Sequence, residues 1–110
     1  MYKLISVLLL LSSTAYANCT VVKGEMLGDK THTVGVINNV ILNDMGDSFA
    51  TSIEGTVYNS PHLINVSPDK SYVDIHPYRF IREKTRFGMA YHIENYQTNI
   101  VYTIGKCKNV

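Results

Sequence analysis

The sequence predicts an all-β fold: a small antiparallel barrel or sandwich of about seven strands with one terminal disulfide. Three features carry that expectation. Apolar and polar residues alternate with the period of a half-buried strand, most clearly where Phe87, Met89, Tyr91 and Ile93 take one parity and Gly88, Ala90, His92 and Glu94 the other. Clusters of Gly, Pro, Asn and Asp divide the chain into short segments. The two cysteines, Cys19 and Cys107, stand close to opposite ends of the segment that remains once a leader is removed.

That leader is residues 1–17. Lys3 supplies a basic start, Leu4 to Leu11 an apolar core, and Ala15-Tyr16-Ala17 a small-residue end, the pattern of a secretory signal cleaved after Ala17. The apolar run is much shorter than the ~20 residues a membrane helix needs. The expectation is a single exported domain over residues 18–110, periplasmic or secreted, with no membrane insertion after cleavage. Asn18 occupies the place where a lipoprotein signal puts a small residue, so Cys19 is read as a disulfide partner and not as a lipid anchor. Two cysteines in an oxidising compartment allow one pairing, Cys19–Cys107. In the chain-entropy picture, closing so long a loop is worth on the order of 4–5 kcal/mol. For a domain this small that is comparable with its whole stability.

The strands follow in order. The stretch "CTVVKGEM" is the first, ended by Gly28-Asp29-Lys30, and "HTVGVINNVIL" the second, bent near Gly35 or at Asn38-Asn39. After the turn signal "NDMGD", "SFATSIEGTVY" is a third strand with a bulge at Gly55. "HLINV" is a short fourth, between Ser60-Pro61 and Ser67-Pro68-Asp69. "SYVDIHPYRF" and "FGMAYHIE" form a hairpin around the polar stretch Arg82-Glu83-Lys84-Thr85, with Pro77 marking an edge or a bulge. "TNIVYTIGKC" is the last, with Ile100, Tyr102 and Ile104 on one face. A rival reading makes residues 78–96 a helix, with Pro77 in its first turn and Met89, Ile93 and Tyr96 at helical spacing, which gives an α+β, OB-like domain. Gly88 in its middle argues against that helix by about 1 kcal/mol relative to alanine.

Charge is balanced overall but not along the chain. Residues 18–76 carry three basic and seven acidic groups, residues 77–110 six basic and two acidic. Two such halves either neutralise one another in the fold or steer a charged partner. No basic stripe interleaved with aromatics points to nucleic acid, and no lysine-rich amphipathic segment points to a membrane surface.

Chemistry-bearing motifs are sparse. His32, His62, His76 and His92 have no metal-ligand spacing. A hairpin centred on Lys84 would set His76 opposite His92 and Asp74 opposite Glu94, which could hold zinc, but the reading adopted is solvent-facing histidines and no metal. No GxSxG elbow or glycine-rich phosphate loop occurs. Asp44 and Asp47 lie in a turn signal, where aspartate bonds the backbone. The expectation is therefore no enzyme and no cofactor. The binding candidate is the hairpin tip, with Arg79, Arg82, Lys84 and Arg86 around a projecting loop and Phe80 and Phe87 at its base.

The reading that follows is an exported binding protein with a protein partner, an inhibitor or immunity-type protein blocking an envelope-acting hydrolase or toxin. The alternatives are a secreted glycan-binding subunit for toxin delivery, which would use the helix of the rival fold and exposed tyrosines, and an accessory protein of an envelope or surface assembly, which would use an exposed edge strand. The layout of leader, short β-rich body and cysteines near both ends is similar to that of bacterial periplasmic lysozyme inhibitors. The Ser-Gly-x-x-Tyr stretch of the C-type inhibitors has its nearest counterpart in Gly88-Met-Ala-Tyr91, preceded by Phe87. No functional residue is carried over from them.

Overall fold

A computed structural model describes residues 15–109, so the first fourteen residues of the expected leader lie outside the described residues. Its Ala15-Tyr16-Ala17 end opens the first strand, β1 (Ala15–Leu27). Then come β2 (Lys30–Asp44), β3 (Phe49–Ile53), β4 (Thr56–Asn59), β5 (Ile64–Ser67), β6 (Lys70–Ile75), β7 (Tyr78–Thr85), β8 (Gly88–Asn95) and β9 (Ile100–Asn109). Among the described residues no helix is long and apolar enough to cross a membrane.

The fold is all-β, with nine strands where the sequence suggests about seven. The excess comes from two predicted strands that each contain a tight turn. In the predicted strand 48–58, Glu54 and Gly55 both have positive φ (51° and 84°), and Ile53 pairs with Thr56 across them. Two successive positive φ values reverse the chain, as in the two-residue turns that suit hairpins. In the predicted strand 71–80, the His76–Pro77 bond is cis and Ile75 pairs directly with Tyr78. Such a turn switches the inward parity, from Thr51 and Ile53 to Tyr58 and from Val73 to Tyr78 and Phe80, as a single-residue bulge also does, which is why the sequence reads as one bulged strand. The rival helix over 78–96 is absent: β7 and β8 occupy that span as a hairpin with eight paired positions.

Nor is the architecture a closed barrel or a two-sheet sandwich. All nine strands join one antiparallel sheet in the order β4-β3-β2-β1-β9-β8-β7-β6-β5. Its edge strands β4 and β5 are consecutive in sequence, but no ladder closes the sheet between them. Each is four residues long and stops at a proline pair, Ser60-Pro61 and Ser67-Pro68. Proline lacks the N–H that a longer ladder would need. A second open edge is long: β3 pairs with β2 only at Leu42–Asp44, and the Thr51 hydroxyl reaches the Ile41 carbonyl, so β2 from Lys30 to Val40 pairs on its β1 side alone.

The sheet coils until its β3–β4 end lies over β7–β9. A chain of rings spans the interior: Tyr91 to Phe49 at 5.1 Å, Phe49 to Phe80 at 5.9 Å, Phe80 to Tyr78 at 5.8 Å, Tyr78 to Tyr58 at 5.8 Å and Tyr58 to Tyr102 at 5.9 Å. Their tilted and edge-on geometries suit the ring quadrupoles. Val21, Leu42, Phe49, Ile53, Ile93 and Ile104 complete a core that water does not reach. On β9, Ile100, Tyr102 and Ile104 do share the inward face, as their alternation predicts.

Cys19 and Cys107 form the expected disulfide, joining β1 to its neighbour β9 at a sequence separation of 88. Here β1 is bulged on both flanks. Toward β2, Cys19 faces Val40 and Val21 faces Ile37, so Asn38 and Asn39 together oppose Thr20. Toward β9, Asn18 faces Lys108 and Thr20 faces Gly105, so Lys106 and Cys107 together oppose Cys19. Asn39 and Lys106 absorb the extra residues in left-handed conformations (φ 61° and 52°). Of the two bends foreseen, the one at Asn38-Asn39 is one of these bulges, and beside Gly35 a further register shift leaves Val34 opposite the Lys23–Gly24 step.

Candidate functional site

The alternation of strand directions gathers the turns at two ends. Turns 45–48, 67–70 and 85–88 lie at one, the tip end; turns 28–29, 54–55, 76–77 and 96–99 lie at the other, the mouth end.

At the tip end the β7–β8 hairpin turns on Arg86 and Phe87, with Thr85 paired to Gly88. The apex is two residues beyond the Lys84 centre that the sequence suggests, because Gly88 (φ 117°) is the residue that accepts the turn's backbone geometry. The Thr85 hydroxyl fixes the loop twice: it accepts the Phe87 N–H at 3.1 Å and donates to the Gly88 carbonyl at 2.7 Å. One strand over, the Lys84 N–H donates to the Asp69 carbonyl at 2.7 Å and braces the hairpin against the β5–β6 turn. Phe87 is 90 % exposed, the most exposed large apolar residue described, and Arg86 lies 5.5 Å from its ring centre. An aromatic ring held in water on a pinned turn contributes almost nothing to folding.

The four candidate residues therefore separate. Lys84 and Arg86 stay exposed at the tip. Arg79 lies at the far end of β7, in an ion pair with Asp74 (Nη2 to Oδ2, 3.0 Å) and between the rings of Tyr72 and Tyr96 at 5.2 and 5.7 Å. The Arg79 hydrogen bonds hold the Asp74 carboxyl below its ordinary value, and the arginine's own pKa is raised in return. Arg82 points into the coil and pairs with Asp44 of β2, Nε to Oδ2 at 3.0 Å. Phe80, placed by the sequence at the base of the tip, is in the core, and Phe87 is at the apex.

Asp44 is the polar centre of the tip end. Its Oδ2 accepts the Tyr91 hydroxyl at 2.6 Å as well as Arg82, and its Oδ1 accepts the Gly46 N–H at 2.8 Å, the backbone bond foreseen for this turn. Burial pushes the carboxyl up, but the hydrogen bonds from Tyr91, Gly46 and Arg82 outweigh it and the pKa lies below the usual carboxylate value. The Tyr91 hydroxyl is driven well up by burial and by the Asp44 charge. Two ion pairs, Arg82–Asp44 and Arg79–Asp74, thus join the basic C-terminal third to the acidic remainder, so part of the charge asymmetry is neutralised within the fold.

At the mouth end, where the sheet stays open, Tyr58, Tyr78 and Tyr102 line a depression of about 210 Å³ with Ile93, Asn95, Thr98 and Ile100. Lys23 and the Tyr102 hydroxyl hold Glu54 at its rim, at 3.0 and 2.8 Å, and both bonds lower the Glu54 pKa. Burial raises the hydroxyl pKa of Tyr58 and of Tyr102, so both are neutral donors in ordinary conditions.

The histidines do not meet. His92 faces Ile81 and bonds Glu83 at 3.1 Å, His62 bonds Asp47 at 3.0 Å, and Asp74 and Glu94 both flank Arg79 instead of each other. Among the described residues no three histidine, cysteine or acidic side chains are grouped to hold a metal. Comparison with known proteins gives no relative to argue from: no family model matches the chain, and neither a curated protein nor a solved structure matches it significantly.

Proposed function

We propose that the chain is an exported binding protein whose β7–β8 hairpin inserts into a cleft on a protein partner, an envelope-acting hydrolase or toxin that it inhibits. The observation that carries this reading is Phe87, fully displayed beside Arg86 on a turn that the Thr85 hydroxyl pins. Aromatic residues and arginine dominate binding energy where a partner can desolvate them, and a preformed turn lowers the ordering cost of binding. Lys84 is the adjoining cation; Arg79 and Arg82 belong to the frame that supports the hairpin. Replacing Arg86 and Phe87 together by alanine should leave the melting temperature within a degree or two, since neither side chain is buried. The same change should weaken partner binding by ~2 kcal/mol or more, about thirtyfold. The test is inhibition of a panel of purified envelope hydrolases by both forms. Wild-type protein that inhibits none of them, or a variant that inhibits equally well, removes the hairpin from the account.

A second reading has its own observation. The tyrosine-lined mouth offers ring faces with amide and hydroxyl groups beside them, which suits a sugar ring. The delivery-subunit version of that reading relied on a helix over 78–96, and β7 and β8 occupy that span. What it keeps is the mouth: Tyr58→Ala should abolish any signal on a glycan array while the hairpin variant preserves it. The open β2 edge is the feature that an accessory protein of a surface assembly would use.

A further inference from the structure

The two bulges that flank β1 do more than seat the disulfide. Both spend their extra residue at the same level of the sheet, on either side of Cys19-Thr20, and both neighbouring strands leave regular register there. Cys19 and Cys107 turn inward to their bond. Strand alternation then sends Asn18, Thr20, Lys106 and Lys108 to the outer face. A depression of about 510 Å³ lies there, lined by Asn18, Thr20, Asn38, Asn39, Lys106 and Lys108. Asn18 and Thr20 form its floor, Asn38 and Asn39 the β2 wall, and Lys106 and Lys108 the β9 wall.

The chemistry of the lining is one-sided. Each of the six side chains can donate hydrogen bonds, two are cations, and none is acidic or apolar. No aspartate or glutamate among the described residues pairs with either lysine. Lys106 is also a β-branchless but full side chain held at φ 52°, a conformation that glycine or asparagine takes more readily.

We propose that this double-bulge depression is a binding site for an oxyanion group, a carboxylate, phosphate or sulfate, carried on a small polyhydroxylated molecule such as an acidic sugar. The lysines hold the anion by charge-assisted hydrogen bonds, and the asparagine amides and the Thr20 hydroxyl receive the hydroxyl groups of its body. The volume exceeds what a bare oxyanion fills, and the absence of apolar lining excludes an acyl chain or an aromatic ring as the main contact. The site is separate from the hairpin apex and from the tyrosine mouth, and it stands whether or not either binds a partner.

The test is amide chemical-shift mapping of the protein titrated separately with glucuronate, glucose 6-phosphate, inorganic phosphate and glucose. Both anionic sugars should shift the backbone amides of Thr20, Asn38 and Asn39 and the side-chain amides of Asn18, Asn38 and Asn39, while glucose leaves them in place. Replacing Lys106 and Lys108 together by glutamine keeps a hydrogen-bond donor at most of their reach and removes their charge; the affinity for the anionic sugars should fall about tenfold. The phosphate arm identifies the source: anionic sugars binding more tightly than phosphate indicate a sugar-borne group, and equal binding indicates the free oxyanion. No shift at these four residues with either anionic sugar overturns the proposal. So does an equal response to glucose, or an unchanged affinity in the double glutamine variant whose spectrum otherwise matches the parent's.

Discussion

Replacing Cys19 and Cys107 together by serine should cost about 2–5 kcal/mol and leave much of the chain unfolded at 37 °C. The reason lies in the sequence separation of 88: the bond closes nearly the whole domain into one loop. Without it the denatured chain gains most of its lost freedom. The cost has a second source, because Cys19 belongs to the core and a serine hydroxyl there lacks a partner. Urea denaturation of the wild type, with and without reductant, against the double variant measures both. A reduced wild type that matches the variant assigns the loss to the crosslink. A midpoint that does not move in either case would show that the coiled sheet holds itself together without it.

Asp44→Ala is the other change expected to have a large effect. It removes the acceptor for Arg82, Tyr91 and the Gly46 N–H at once. Arg82 and Asp44 have side chains only 27 % and 14 % exposed, so the stranded guanidinium keeps part of the penalty of an unpaired buried charge. Because water still reaches both groups, the expected loss is about 2–4 kcal/mol, below that of a fully buried pair. For a domain of this size it corresponds to a fall in melting temperature of roughly 10–25 °C. The same carboxylate gives a pH signature. Its folded pKa is lowered, so its contribution is complete above the unfolded carboxylate value of about 4 and is lost as pH falls through the folded value. Wild-type stability should therefore drop below about pH 4, and Asp44→Asn should show a smaller drop across that window. Parallel pH–stability curves for the two proteins would mean that other carboxylates control acid unfolding.

The β7–β8 turn is centred between Arg86 and Phe87, beyond the Lys84 centre that the sequence suggests. Charge drew attention to Arg82-Glu83-Lys84-Thr85, yet the turn falls on Arg86-Phe87, where Gly88 can take the backbone angle and Thr85 can bond both ways across the loop. The displacement exchanges the roles of the side chains. Arg82 turns inward to a carboxylate 38 positions earlier, and Phe87 leaves the base for the apex. A charged residue in a strand reads as surface unless its partner is known, and a partner so distant in sequence leaves no local trace.

What the sequence determined by itself is whatever depends on short-range pattern or on counting. Alternation sets the strand class and the inward face of β9, and two cysteines allow one disulfide. Asp44 bonding its own turn, and a bend at Asn38-Asn39, also follow from neighbours two residues apart. The tertiary structure decided the rest. It split two apparent strands at Glu54-Gly55 and His76-Pro77, since a two-residue turn and a bulge both switch the inward parity and alternation alone does not tell them apart. It left the sheet open between β4 and β5, set six tilted and edge-on rings between β3–β4 and β7–β9, and aligned two bulges on one level of β1. Each of these depends on which strands become neighbours, and that is fixed only when the whole chain has found the register that buries its core.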